Sequence, residues 1–265
     1  MTATRNRPVL VGVDASAPSL EAVRWAAREA SRRDTTLRLL HACVFDDEPP
    51  RQHDELLLEH IDRRLGRAAE IARDRAPGVR VETAVRLGLA VDLLLEEAAD
   101  AALVVLGSHG LGGLRGALVG SVALRVAAEA PCPVVVVPGH QPIRTGPVVA
   151  GVDRSESSEH ALRFAFDAAD AARAPLLVVH AGDDPAERQE LEARVASWTG
   201  RYPDLEVFTQ VVEDRVPERA LRHAAPDARL VVVGTRGRGP VAGGVLGSTG
   251  NALLAHAPCP VAIVH

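Results

Sequence analysis

The stretch Ala102-Leu103-Val104-Val105-Leu106-Gly107-Ser108-His109-Gly110 joins a run of apolar residues to a glycine-rich turn, and the chain contains this arrangement twice. The second copy reads Leu230-Val231-Val232-Val233-Gly234-Thr235-Arg236-Gly237. In each copy nine residues separate the turn from a Gly-Ser pair, which is Gly120-Ser121 or Gly247-Ser248. A glycine turn between a buried strand and a helix directs backbone N–H groups at a ligand, so both stretches predict an anion site.

Other landmarks recur at a constant distance of 139 residues. Gly12-Val13-Asp14-Ala15-Ser16 corresponds to Gly151-Val152-Asp153-Arg154-Ser155, and His41-Ala42 corresponds to His180-Ala181. A repeat of this length indicates tandem domains rather than a solenoid of short units. Each copy is also long enough to bury a core of its own.

The junction between the copies is the segment 138–146, which is polar and rich in Pro and Gly. Such a segment is typical of a linker. We therefore expect one domain over residues 1–140 and a second over residues 147–265.

Strands and helices alternate along each copy. Short apolar runs predict five strands per copy, with Val79–Val85 and Leu205–Val211 as the third strand of each. Apolar positions recur with helical spacing over Ala17–Arg32, and Ser16 and Ser155 stand where a helix N-cap belongs. Apolar strands are buried on both faces in parallel sheets covered by helices. The chain is therefore predicted to be α/β, with two tandem doubly wound domains.

Composition excludes several classes of function. The formal net charge is −5, whereas non-specific nucleic-acid binding needs basic faces, so we expect no nucleic-acid partner. No apolar run approaches the length of a membrane span, and residues 1–8 are too short and polar for a signal peptide. The three cysteines do not suggest a disulfide framework; a cytoplasmic location is expected, with Cys132 and Cys259 buried as small hydrophobes.

Asp14 and Asp153 end the first strand of each copy. A doubly wound sheet has its crevice at these carboxyl ends, so each aspartate could accept a hydrogen bond from a base amino group or a ribose hydroxyl. Alternatively, each could only cap the turn that follows it. His41 and His180 end the second strands and suit a structural role better than a catalytic one. The following Ala42 and Ala181 would present backbone to a base.

The glycines of the turns also admit two interpretations. Gly107 and Gly110 could allow positive φ and a close approach of the backbone to phosphate, or they could only make a tight turn between strand and helix. The same holds for Gly234 and Gly237. At the loop position of His109 the second copy has Arg236, which could pair with phosphate oxygens or be solvated.

The chain lacks two common enzyme signatures. It has no G-x-x-x-x-G-K-[ST] motif, which places a lysine on nucleotide phosphates, and no G-x-S-x-G motif, which exposes a nucleophilic serine. The sequence therefore assigns no catalytic residue and no metal ligand.

Taken together, these motifs resemble the universal stress protein family, in the tandem-domain, ATP-binding form common in actinobacteria. The resemblance covers nearly the whole chain and depends on residues 11–16, 107–110, 120–122 and 130–137, and on their counterparts 150–155, 234–237, 247–249 and 257–264. It implies a five-stranded parallel sheet in the order 3-2-1-4-5, with helices on both faces, in each domain. It also implies bound ATP, with or without Mg²⁺, between the aspartate and the glycine turn.

The resemblance assigns eight residues to each nucleotide site. Those of the first domain are Asp14, Ala42, Leu106, Gly107, Gly110, Gly120, Ser121 and Val122. Those of the second domain are Asp153, Ala181, Val233, Gly234, Gly237, Gly247, Ser248 and Thr249. Two departures from the family pattern are mild, since alanine replaces a larger aliphatic residue at 42 and 181 and Thr249 replaces a valine.

The family resemblance implies a nucleotide-dependent regulatory protein of the stress response with little or no turnover. The alternatives are a slow ATPase or an enzyme that transfers phosphate or nucleotide, and a structural stress factor with vestigial sites. Members of the family pair their domains through the last strand, so we expect Val134–Val137 and Val261–Val264 to pair within the chain, because exposed apolar strand edges are normally covered. Two such chains are expected to form a homodimer.

Overall fold

The computed structural model describes residues 7–44, 52–109, 119–139, 144–182, 184–214, 216–224, 226–235 and 246–265. The chain divides into two units, Met1–His140 and Gln141–His265. In the described parts of the chain, no helix is both long and apolar enough to cross a bilayer.

Strands and helices alternate in the first unit. Its strands are β1 (Val9–Gly12), β2 (Leu37–Cys43), β3 (Val81–Leu87), β4 (Leu103–Gly107) and β5 (Val134–Val137). Its helices are α1 (Ala17–Arg32), α2 (Gln52–Arg75), α3 (Ala90–Ala98) and α4 (Ser121–Glu129). The strands are parallel and lie in the order β3-β2-β1-β4-β5, which confirms the predicted order 3-2-1-4-5.

The second unit repeats this arrangement. Its strands are β6 (Val148–Gly151), β7 (Leu176–Ala181), β8 (Val207–Val212), β9 (Leu230–Gly234) and β10 (Val261–Val264). Its helices are α5 (Glu156–Ala172), α6 (Pro185–Thr199), α7 (Pro217–Ala224) and α8 (Ser248–His256). The parallel strands lie in the order β8-β7-β6-β9-β10, so the same topology is built twice.

The first strand of each unit lies at the centre of its sheet. Val9 pairs with Leu37 of β2 on one side and with Leu103 of β4 on the other. All three are fully buried, as are Val104 and Val105. Burial on both faces explains why these strands are continuous apolar runs without polar alternation.

Helices cover both faces of the first sheet. A Cβ atom on Gly12 would meet the side chains of Leu106 and of Leu94 in α3, whereas a Cβ atom on Gly107 would meet Pro18 in α1. Successive residues of a strand point to opposite faces. Since Leu106 and Gly107 are successive, α3 and α1 lie on opposite faces.

The second sheet is covered in the same way. A Cβ atom on Gly151 would meet Leu221 of α7 and the side chain of Val233, and one on Gly234 would meet Ser157 of α5. Val233 and Gly234 are successive in β9, so α7 and α5 lie on opposite faces. The predicted fold, a doubly wound sheet with helices on both sides, is confirmed in each unit.

The predicted bounds of α1 agree with the structure, but those of the third strands are wrong at their starts. Val79 donates its N–H to the carbonyl of Ala76 (3.1 Å), and Leu205 donates to Tyr202 (3.1 Å). Each residue therefore closes a short turn between the preceding helix and the strand, and the strands begin two residues later, at Val81 and Val207. Local hydrophobicity cannot separate a buried turn residue from a strand residue.

Candidate functional site

Asp14 organises the turn between β1 and α1. Its Oδ1 accepts a hydrogen bond from the N–H of Ser16 (2.9 Å), and the intervening Ala15 has a left-handed backbone with φ of 63°. Ser16 then caps α1, since its Oγ accepts from the N–H of Ser19 (3.3 Å). The carboxylate therefore has the turn-capping role, and its role in ligand binding stays a prediction.

Asp153 is held by more groups than its counterpart. Its Oδ1 accepts from the N–H of Ser155 (2.9 Å) and from the hydroxyl groups of Ser155 and Ser158, the latter at 2.7 Å. Because the Ser155 hydroxyl is directed at the aspartate, Ser155 stands at the N-cap of α5 without a side-chain cap bond. The turn between β6 and α5 is thus fastened through the carboxylate rather than through the cap.

The histidines at the ends of the second strands tie those strands to the first strands. Nδ1 of His41 donates to the carbonyl of Val13 (2.6 Å), and Nδ1 of His180 donates to that of Val152 (2.8 Å). A carbonyl oxygen only accepts, so Nδ1 carries the proton in both residues. These bonds confirm the structural role predicted for the two histidines.

In the first unit, hydrogen bonds connect the end of β4, the start of α4 and the turn after β1. Ser108 donates its N–H to Val137 (2.8 Å), and its carbonyl accepts from the N–H of Gly120 (2.6 Å). The hydroxyl of Ser16 reaches the carbonyl of His109 (3.4 Å). Three segments that are far apart in sequence therefore meet at the carboxyl edge of the sheet.

The second unit has equivalent backbone bonds. The N–H of Thr235 donates to Val264 (2.9 Å), and the carbonyl of Thr235 accepts from the N–H of Gly247 (3.0 Å). The two ends of each glycine loop are thus held together at the same place in both units.

The N-termini of α4 and α8 carry the chemistry most suited to an anion. Gly120 and Gly247 are the N-caps, with φ, ψ of −75°, 149° and −61°, 158°, and neither has a side chain to bond the helix. The first amides of a helix have no acceptor within it and carry the positive end of its dipole. Ser121 and Ser248 are exposed first residues and add a hydroxyl at each opening. Val122 and Thr249 are half-buried behind them.

The first glycine of each turn has a packing reason that is independent of any ligand. A Cβ atom on Gly107 would lie 2.7 Å from the backbone of Pro18 and of Ser19. One on Gly234 would lie 2.4 Å from Oγ of Ser157. The first turns of α1 and α5 therefore press against the ends of β4 and β9, and only glycine fits there.

The structure brings most of the predicted site residues to one edge of each sheet. In the first unit Asp14, Ala42, Gly107, Gly120 and Ser121 all lie at a strand's carboxyl end or at the start of α4. Their counterparts occupy the same places in the second unit: Asp153, Ala181, Gly234, Gly247 and Ser248.

The remaining predicted residues are either buried in the core or lie outside the described residues. Leu106 and Val233 are each 4% exposed and belong to the core, so they could offer only backbone to a ligand. Gly110 and Gly237 lie outside the described residues, as does Arg236.

Four charged residues near the second site have no role predicted from the sequence. Oε2 of Glu187 lies 3.1 Å from Nε2 of His180, and Nη1 of Arg194 donates to the carbonyl of Asp153 (2.6 Å). Arg154 donates to Oε2 of Glu190 (2.8 Å). Glu187 lies three residues after Asp184, the N-cap of α6, and this spacing predicts a helix-capping role. The sequence therefore does not predict the contact between Glu187 and His180.

A further ion pair lies just beyond β8. Arg219 donates through Nε and Nη2 to the two oxygens of Asp214 (2.7 and 2.8 Å). This hydrogen bonding, followed by a bond from the N–H of Val216, lowers the pKa of Asp214 from 3.8 to about 2. The carboxylate therefore remains charged well into the acid range.

The described parts of the chain contain no candidate metal site. No group of three or more His, Cys, Asp or Glu side chains is arranged there to hold an ion.

Comparison with known proteins agrees with the tandem arrangement. The model of the universal stress protein family matches residues 5–138 and 145–265. A universal stress protein of Mycolicibacterium smegmatis is 36% identical over 283 residues, covering 97% of this chain and 96% of that protein. One of Mycobacterium tuberculosis is 35% identical over 284 residues, covering 96% and 95%.

A solved structure shows the same fold. The crystal structure of a universal stress protein from Archaeoglobus fulgidus aligns with a TM-score of 0.77 at 20% identity, covering 97% of this chain and 96% of that one. The fold similarity agrees with the two family matches and with the sequence identity to the mycobacterial relatives. The chain belongs to the universal stress protein family.

Proposed function

We propose that the protein binds ATP at the carboxyl edge of each sheet and acts as a nucleotide-dependent regulator of the stress response, with little or no turnover. The observation that carries this proposal is the start of α4, repeated at α8: a glycine N-cap without a side-chain bond, joined by hydrogen bonding to the end of a buried strand. Amides in this geometry suit the phosphates of a nucleotide.

The aspartate turns supply a second polar group for each proposed site. Asp14 lies after β1, and the hydroxyl of Ser16 connects its turn to the carbonyl of His109 at the end of β4. A ligand whose phosphates lie on α4 would have its nucleoside near this turn and near the backbone of Ala42. A carboxylate oxygen could accept from a ribose hydroxyl or a base amino group while the turn stays intact.

Calorimetric titration with ATP, with and without Mg²⁺, tests the proposal. Asp14→Asn keeps an oxygen that can bond the N–H of Ser16, so the turn should remain while the charge is lost; Asp14→Ala loses both. Both variants are expected to weaken binding at the first site, and only Asp14→Ala should lose stability. Ser31→Ala, in the exposed last turn of α1, serves as a control. Unchanged affinity in both Asp14 variants would refute the assignment of this residue.

Binding is distinguished from turnover on the same preparations. Acid extraction and mass spectrometry identify the nucleotide that co-purifies, and incubation with ATP measures any ADP formed. Bound ATP that persists without ADP supports a regulatory protein. Steady ADP production at a rate abolished by Ser121→Ala would instead favour the slow ATPase.

Domain pairing within the chain, homodimer formation and a cytoplasmic location stay predictions. Light scattering of the purified protein at several concentrations measures the mass in solution. A mass of one chain at all concentrations would contradict the homodimer.

A further inference from the structure

The second candidate site differs from the first in the carboxylate that lies over the end of its second strand. Glu187, in the first turn of α6, places Oε2 at 3.1 Å from Nε2 of His180. The two side chains are only 10% and 8% exposed. Nδ1 of His180 is already used by the carbonyl of Val152, so the ring is held on both sides. The carboxyl group of Glu187 is therefore buried against a histidine and is not a solvated surface group.

Gly182 shows how close the carboxylate lies to the proposed base position. A Cβ atom on Gly182 would be 2.2 Å from Oε2 of Glu187 and 2.9 Å from Nε2 of His180. Gly182 directly follows Ala181, whose backbone is the predicted contact for the base. Glu187 therefore fills the space beside that backbone.

Three further hydrogen bonds hold α6 over the edge of the second sheet. Arg194 donates through Nη1 to the carbonyl of Asp153 (2.6 Å) and through Nη2 to Oε2 of Glu159 (3.0 Å). Oε1 of Glu159 accepts from Nε1 of Trp198 (2.8 Å). These hydrogen bonds connect the turn at Asp153 with helices α5 and α6. The indole of Trp198 is the last group in this network.

The first unit shows no matching contact among its described residues. His41 makes the same bond to the backbone of β1 but is half-exposed, and no carboxylate contacts it among the described residues. The segment between second strand and helix is also longer there, spanning residues 44–51, against 182–184 in the second unit. The shorter connection brings the start of α6 directly over its sheet.

We propose that Glu187 occupies the base end of the second site, so that each chain binds one nucleotide tightly, at the first site. This inference rests on the proposed function. A nucleotide can enter the second site only after Glu187 leaves His180. Leaving a buried hydrogen-bonding group without its partner corresponds to a weakening on the order of 10- to 100-fold.

The test is the stoichiometry of ATP binding by calorimetry in four proteins. The unmodified chain should bind one ATP tightly, and Asp14→Asn should bind none tightly. Glu187→Ala should bind two. Glu192→Ala, which removes an exposed glutamate from the same helix, should still bind one.

A second measurement covers the case in which Glu187→Ala folds poorly. Trp25→Phe leaves Trp198 as the only tryptophan, since the chain has two. In that background ATP should change the fluorescence of Trp198 in Glu187→Ser much more than in the parent. The circular dichroism of each variant is compared with that of the parent first.

The outcomes separate this inference from the proposed function. Two equal tight sites in the unmodified chain, or one site in Glu187→Ala together with an unchanged fluorescence response in Glu187→Ser, would overturn the role of Glu187 and leave ATP binding intact. No ATP binding in any variant would overturn both.

Discussion

Gly107→Ala tests whether the turn after β4 needs glycine because α1 presses against it. The added Cβ atom would lie 2.7 Å from Pro18 C, 2.7 Å from Ser19 N and 2.9 Å from Pro18 Cβ. Two of these atoms belong to the backbone in the first turn of α1, so they cannot shift unless the helix shifts with them. Overpacking of this kind costs about 1–3 kcal/mol, and backbone contacts place the expected loss at about 2–3 kcal/mol.

The matched control is the same substitution at Gly66. Gly66 lies in α2, and a Cβ atom there would have nothing within 4 Å. Alanine in place of an exposed helical glycine stabilises by about 0.5–1 kcal/mol. The same substitution is therefore expected to lower the free energy of unfolding at Gly107 and to raise it at Gly66.

Urea unfolding followed by tryptophan fluorescence measures both variants. In a Trp198→Phe background the remaining tryptophan is Trp25, which lies in α1 and so reports on the first unit. ATP titration of Gly107→Ala should also show weaker binding at the first site, because the contact positions the Asp14 turn. Stability of Gly107→Ala within about 0.5 kcal/mol of its parent would refute the packing argument.

Two further predictions concern titrating groups. Burial raises the pKa of Cys132 and Cys259 from 9.0 to about 11. The native state keeps these protons after the unfolded chain has released them, so stability should be full below pH 9. It should fall as the pH rises from 9 toward 11, by at most about 3 kcal/mol per thiol. Guanidinium unfolding at pH 8 and pH 10 should show this loss in the parent, whereas an equal loss in Cys132→Ala/Cys259→Ala would contradict it. The pKa of Asp214 is held at about 2 by Arg219, so its contribution to stability is present above pH 3.8 and is lost as the pH falls toward 2. Carbon-detected NMR of the carboxyl group checks this, and in Arg219→Met the titration should move up toward 3.8; no movement would exclude the arginine as the cause.

Much of the fold could be predicted because its signals are local or repeated. Helix α1 begins at Ala17 as expected, since Ser16 caps it and its apolar positions have helical spacing. The burial of Cys132 and Cys259 also followed from their place between prolines before an apolar strand, and they are 7% and 2% exposed. The third strands were misplaced at their starts because Val79 and Leu205 are apolar residues held in turns.

The candidate site could be predicted in outline but not in its contacts. Asp14 and Gly107 recur in the second copy as Asp153 and Gly234, and this repetition indicated which strand ends matter. It did not indicate that Gly107 meets the backbone of Pro18, or that the carboxylate of Asp153 is shared by two serine side chains. Those contacts join residues on different elements, and spacing along one element does not encode them.

The amino-acid sequence by itself determined the tandem α/β architecture, the positions of the glycine turns and the membership of the family, because each depends on patterns that recur along the chain. Only the tertiary structure decided that Glu187 lies against His180 beside the end of β7. The physical reason is that the position of a helix start over a sheet depends on the length of its connection and on packing across several elements. Two copies with nearly the same motifs can therefore present unequal sites.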